Sequence, residues 1–222
     1  MAGAAAARMG WDPAPRQGWV APHIASEFPG LGIAWVEVDA KPGRSPEPVR
    51  RRLRDLSDRT YGAQAIRLRE RPIPWAYRVF YRQIGLDPDR TRTPVEQLAL
   101  DRLHDGGFRT RGLPADALNI AIVETGVALR AFDADRLAGR LCIRDSAPGE
   151  SLPGAPGELP GGTLTIADEE RPIALLFGAT AAGYGVERDT RRLAVASVQV
   201  NGVPQIAVEE ALWMAAATLE SA

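Results

Sequence analysis

The reactive groups of this 222-residue sequence are few: one thiol, Cys142, two imidazoles, His23 and His104, and a run of adjacent carboxylates in Asp168-Glu169-Glu170. A single cysteine excludes an internal disulfide and a cysteine-based zinc cluster. Its flanks in LCIR are apolar, which reads as a buried structural thiol rather than a nucleophile. The histidines are far apart and suit surface or cap positions. Asp168-Glu169, after an apolar run and before Pro172, reads as a turn, with a metal site as the alternative. The sequence has no phosphate-binding GxxxxGK[ST] loop, no GxGxxG after a strand and no GxSxG elbow. FGATAAGYG, Phe177 to Gly185, directly after the apolar run, is the glycine cluster closest to such a loop. Those glycines either admit a ligand or supply a turn with positive φ.

The basic residues are almost all arginine; Lys41 is the only lysine among 27 Lys and Arg. Enrichment in Arg, Ala, Gly and Pro fits a GC-rich genome, with bidentate contact to phosphate or carboxylate as the alternative. The net charge of -1 gives no overall attraction to nucleic acid or to an anionic membrane, so any nucleic-acid contact must use a local patch. No segment reaches the roughly 18–20 apolar residues of a membrane span. The start lacks the pattern of a secretory signal, so a cytoplasmic protein is expected.

These groups must be positioned by an α+β fold. Residues 1 to 20 read as a disordered tail, followed by one domain over 21–222. Ile33–Val38 reads as a strand. SPEPVRRRLRDLSDR is a helix with Ser45 as cap and Val49, Leu53 and Leu56 on one face. Its arginines form a solvated face or, alternatively, a phosphate patch. A second helix spans Ile73 to about Ile84, stopping at Gly85. A third has Thr93 as N-cap, Pro94 at N1 and Glu96 at N3, and ends at Gly106. A fourth runs from about Asp116 to Thr125 and breaks at Gly126. Asn119 on it reads as a buried amide bonded to a loop backbone. The second half is β-like: RLCIR, GTLTIA, the apolar IALLFG read as a buried central strand, and RRLAVASVQV. VEEALWMAAATLESA closes the chain as an amphipathic helix. The expected architecture is therefore helices in the first half packed on a mixed β-sheet or sandwich in the second, with a C-terminal helix.

APGESLPGAPGELPGG, 147–162, holds nine Gly or Pro in sixteen residues. It lies between two strands of the β half. Residues 163–222 alone make a poor domain, so this stretch reads as a loop of one fold rather than a linker.

Taken in order, these segments resemble the B3/B4 editing domain of the bacterial phenylalanyl-tRNA synthetase beta subunit and its freestanding relatives. The matching positions are Asn119, Gly126 to Asp133, Ala167-Asp168, Ile173 to Gly178 and Asp189-Thr190. FPGLGIAWVEV and the helices from IPWAYRVF to EQLALDRL add to the match, which covers about residues 22–210. The resemblance implies a single compact domain that hydrolyses a mischarged aminoacyl-tRNA, in trans, without cofactor or metal. Its implied partner is an aminoacyl-tRNA or a small amino-acid-like ligand, and no membrane. The alternative is a non-catalytic amino-acid, metabolite or tRNA binding protein. Two positions depart from the family. Arg130 stands where its His-Ala-Phe-Asp turn has His, and about Gly183 stands where a Glu follows its Gly-Gly loop. Glu150 and Glu187 are candidates to replace that carboxylate, and Arg130 to pair with a carboxylate or phosphate. The resemblance thus implies a cleft between the Asn119 helix, Arg130, Asp168 and the 177–185 loop with Gly178, Gly183 and Tyr184. Arg109, Arg111 and Arg188 would meet tRNA phosphates.

Overall fold

The computed structural model describes residues 14–222. The first 13 residues of the expected disordered tail lie outside the described residues. The rest of that tail is ordered: Arg16–Gln17 (β1) and Trp19–Val20 (β2) are short strands. They belong to different sheets, because the chain crosses from one to the other at Gly18. Only glycine fits there, since a Cβ would lie 2.3 Å from Leu141 O and 2.5 Å from Ile33 Cγ2.

The first sheet has the order β1-β3-β8-β4 and is antiparallel throughout, with β3 Gly32–Asp39, β4 Leu129–Asp133 and β8 Arg192–Gln199. The second has the order β2-β5-β6-β7, with β5 Cys142–Asp145, β6 Leu164–Ala167 and β7 Pro172–Leu175. Here β2 runs parallel to β5 and the other pairs are antiparallel. The α+β expectation holds: helices precede most of the strands and one follows them.

The expected central strand, IALLFG, is an edge strand instead. It reads as central because its outer edge is not free. The chain doubles back, and Leu175 N donates to Ala179 O and Ala181 N to Ile173 O. Ile173 and Ala174 are fully buried for that reason.

Among the described residues the helices are α1 Pro22–Glu27, α2 Glu47–Arg59, α3 Ala63–Arg67, α4 Pro72–Gln83, α5 Pro94–Asp105, α6 Ala115–Thr125 and α7 Gln205–Glu220. The C-terminal α7 buries Leu212, Ala216 and Leu219 and packs on α6, β3 and β8. Helix α5 carries the expected capping box: Thr93 N and Oγ1 both donate to Glu96 Oε2, at 3.2 and 2.7 Å. Glu96 also takes a bond from the buried Arg78, whose other nitrogen donates to Asp89 at 2.7 Å. In α2, Val49, Leu53 and Leu56 face inward. Arg50 and Arg54 pair with Glu47 at 2.7 and 2.5 Å, a solvent-facing arrangement.

Ser45 does not cap α2; Pro46 occupies that place. The Ser45 hydroxyl donates instead to the buried Asp116 at 2.6 Å. Asp116 also accepts from Thr110 Oγ1, from Arg111 N at 2.7 Å and from Gly112 N at 3.1 Å. One carboxylate thus fixes the 110–112 loop against the start of α2. Asp116→Ala would leave four donors short of an acceptor in or near the core. A loss of about 3 kcal/mol is expected, seen as a lower urea midpoint with unchanged slope; an unchanged midpoint would show that the loop is held by other contacts.

Candidate functional site

Arg130 leaves β4 opposite Ala196 of β8 and reaches the second sheet. Its Nη1 donates to Leu175 O at 3.0 Å and its Nη2 to Gly178 O at 2.7 Å. The guanidinium also lies 5.6 Å from the Phe132 ring centroid, a cation–π distance. No ion pair among the described residues includes Arg130, in contrast to Arg78 with its two carboxylates. Burial pushes the Arg130 pKa down from the ordinary guanidinium value, yet an arginine so placed stays charged.

This cation lines a cavity of about 290 Å³. Ala128, Leu129, Ala196 and Val198 form its sheet wall, and Tyr81 of α4 with Leu176 and Phe177 forms an apolar side. Arg92, Pro94 and Gln97 close it around the start of α5. Phe177 is held by aromatic contacts, tilted against Tyr81 at 4.7 Å and edge-on to Tyr77 and Phe80 at 6.1 and 6.0 Å. Leu176 and Phe177 separate this cavity from a larger one of about 610 Å³. The larger cavity lies among Ile24, Phe28, Gln83, Thr91, Thr163 and Gly178.

The Pro-Gly stretch borders that second cavity through Gly162. It is a loop of one fold, as expected, and it is tied down. Arg144 grips Glu150 with both nitrogens, at 2.8 and 2.5 Å, and Glu150 also accepts from Ala147 N at 2.9 Å. Leu152 is buried, and Ala182 N donates to Pro153 O at 2.7 Å. Glu150 is therefore a latch of this loop and does not line the Arg130 cavity. Glu187 is exposed and does not line it either.

Of the expected ligand residues, the structure brings together Arg130 and Gly178. The other four lie elsewhere. Asn119 lines a cleft of about 10 Å³ with Arg109 and Arg111, room for a water at most. The helix face it occupies turns toward α5. Asp168 is buried in the turn expected of it, accepting from Ala138, Glu170 and Arg171 N–H groups at 3.1, 2.9 and 2.9 Å. Gly183 has φ of 82° with open space around it, so it serves a turn. Tyr184 packs on the core, its carbonyl accepting from Asp133 N at 3.0 Å. Burial first, then the nearby Asp168, raises its phenol pKa. The remaining motif pair is structural as well: Thr190 Oγ1 donates to Asp133 Oδ2 at 2.7 Å.

Arg111 and Arg188 do share a surface. With Arg44 they line a groove of about 660 Å³ between residues 42–45 and 110–113. Arg111 pairs with Asp101 at 2.8 Å, while Arg109, outside the groove, pairs with Asp105 at 3.1 Å.

Among the described residues no conventional nucleophile or base faces the Arg130 cavity. Burial pushes the Cys142 thiol up to about 11. His23 and His104 are exposed and bond Asp145 and Asp105, each at 3.0 Å. Nothing local in the sequence marks Tyr81, Arg92, Gln97 and Leu176; only the tertiary fold turns one side of each toward a void. Among the described residues no cluster of His, Cys, Asp or Glu could hold a metal, and no helix is long and apolar enough to cross a membrane.

An α+β domain of two four-stranded sheets, with a charged cavity where they meet and no built-in nucleophile, is the class defined here. Comparison with known families is specific: the B3/4 domain profile matches residues 76–211, and the chain belongs to that family. Every residue lining the Arg130 cavity falls inside the match. The chain is 33% identical over 106 residues to the phenylalanine–tRNA ligase beta subunit of Legionella pneumophila (strain Lens), covering 46% of this chain and 13% of the relative. It is 38% identical over 94 residues to that of Methylococcus capsulatus, covering 41% and 12%. For Nitrosococcus oceani the figures are 33% over 120 residues, covering 53% and 15%. The chain thus spans a small fraction of the length of these relatives.

The Glu150 latch carries a pH dependence. The Arg144 hydrogen bond holds the Glu150 carboxyl below its ordinary value of 4.5. A carboxyl lowered on folding stabilises the fold above its unfolded pKa, and this stabilisation is lost as pH falls through the folded one. Amide exchange at Ala147 and Leu159 is therefore expected to be slow at neutral pH, after correction for intrinsic rates, and to lose protection below pH 4.5. Glu150→Gln should speed it about tenfold at neutral pH; unchanged protection in that variant would mean the loop is held by Leu152 and Pro153 alone.

Proposed function

We propose that this chain takes the aminoacylated end of a tRNA, or a closely similar aminoacyl ester, in the Arg130 cavity and hydrolyses it. The observation that carries this reading is that the cavity lies wholly inside the segment shared with the B3/4 family, whose matched relatives are phenylalanine–tRNA ligase beta subunits.

The chemistry asks little of the side chains. An aminoacyl ester is already activated, so a site that aligns it with a water and stabilises the developing oxyanion is sufficient. Arg130 is always protonated and cannot be a general base. Its free N–H groups are donors for a carbonyl oxygen or an anionic substituent. Water oxygen attacks the ester carbon, the bond to the ribose oxygen breaks, and that oxygen leaves with a proton as the 3′ or 2′ hydroxyl. The amino acid departs as its carboxylate, releasing the second proton to solvent.

The groove of Arg44, Arg111 and Arg188 supplies the tRNA contact in this reading. Arginine forks suit phosphate oxygens. A second reading has one observation in its favour: among the described residues no base faces the cavity, which fits a protein that binds its ligand without cleaving it.

Two measurements test this. In a panel of matched and mismatched aminoacyl-tRNAs, hydrolysis of at least one member above the spontaneous rate is expected, reduced about 100-fold by Arg130→Ala. Spontaneous rates throughout would rule out the hydrolase and leave the binding reading. In the second, tRNA affinity is followed against salt. The Arg111→Ala, Arg188→Ala double variant should bind more weakly and reduce the slope of log K against log salt by about 2. An unchanged slope would remove the groove from the tRNA path.

A further inference from the structure

We propose that the Arg130 cavity selects an aminoacyl group whose side chain ends in a carboxylate, rather than a phenol or a phenyl ring. This rests on the reading that the chain acts on aminoacyl esters and goes beyond it by naming the substrate class.

The charge of the lining is one-sided. Arg130 and Arg92 both face the cavity, and among the described residues no Asp or Glu lines it. Arg92 has only a long contact to Asp89, 3.5 Å, so its charge is weakly compensated. Of the five N–H groups of Arg130, two go to Leu175 O and Gly178 O, and three have no acceptor among the described residues. Arg78, which is buried, is matched by two carboxylates, whereas the half-buried Arg130 has none among the described residues. The missing counter-charge at Arg130 is the difference, and a ligand carboxylate supplies it with bidentate geometry.

The rest of the lining agrees. Tyr81 sits under the Arg130 charge, and its hydroxyl has no hydrogen-bond partner among the described residues. Burial keeps that hydroxyl protonated, so it is a second donor to an anion. A phenol seeks a carboxylate acceptor, which the lining lacks, and a phenyl ring leaves the guanidinium unpaired. Every aminoacyl ester also carries an α-ammonium, which two guanidinium groups repel. A side-chain carboxylate reverses the sign of that interaction.

A tRNA phosphodiester is the other source of negative charge. It would bring a sugar on each side into a cavity of about 290 Å³ with apolar walls. A side-chain carboxylate instead ends the group that enters.

The test compares near-isosteres that differ in charge. Glutamyl-, glutaminyl-, aspartyl-, asparaginyl-, tyrosyl- and phenylalanyl-tRNA are given to the full chain and to Arg130→Gln and Arg130→Lys. The acidic ester is expected to be cleaved at least about tenfold faster than its amide counterpart. Arg130→Gln should erase that ratio, and Arg130→Lys, the variant to use if Arg130→Gln does not fold, should reduce but not invert it. Cleavage of a neutral ester as fast as an acidic one overturns the inference and leaves the hydrolase reading standing. If no ester is cleaved, the hydrolase reading fails and binding decides the inference. Calorimetry with the amide-linked analogues 3′-glutamylamino- and 3′-glutaminylamino-adenosine should then show about tenfold tighter binding of the first. Equal affinity, no binding, or binding that follows the phosphate of uncharged tRNA overturns it.

Discussion

A guanidinium set between two sheets, with no carboxylate paired to it among the described residues, is held by carbonyl oxygens, and much of this structure serves that need. Leu175 O and Gly178 O face Arg130 because β7 ends and the chain turns back on its own edge at Ala179 and Ala181. That turn is steadied from outside by Pro153 O, which accepts from Ala182 N. Pro153 is in turn placed by a Pro-Gly loop that Arg144 and Glu150 fasten. The charge of the cavity and the geometry of three loops are therefore parts of one arrangement.

The motif residues divide by role in a way that composition does not reveal. Asp133, Asp168 and Thr190 look like chemistry in a sequence, being polar residues in or beside strands. In the fold each satisfies backbone or hydroxyl donors at a sharp change of chain direction. Arg130, in the same short segment as Asp133, keeps donors to spare. A polar residue whose hydrogen bonds are all met at a turn holds shape; one whose capacity exceeds its partners can act on something else.

Much of the fold was legible in the residues. The helix starts at Thr93 and near Asp116, the break at Gly126 and the strands around Val36 and Val195 follow from capping, glycine and period-two signals that act locally. The place of IALLFG was not, because burial by the chain's own return resembles burial by a neighbouring strand. The site was half legible. Arg130 stood out by its type, whereas Tyr81, Arg92 and Gln97 come from helices whose relation to β4 is tertiary. Asn119 lies on a helix face whose neighbour, α5, is set by tertiary packing and not by local sequence.

The crossing at Gly18 makes residues 16–20 a staple with one leg in each sheet. Its two legs cap edges that would otherwise be open: β1 covers part of β3, and β2 runs alongside β5. Exposed strand edges are templates for other chains. A form of the protein cut back beyond Val20 would therefore present two such edges on two sheets at once. Since the legs are joined by a single glycine, neither can be withdrawn without disturbing the other. Five residues that line neither cavity thus close one edge of each sheet.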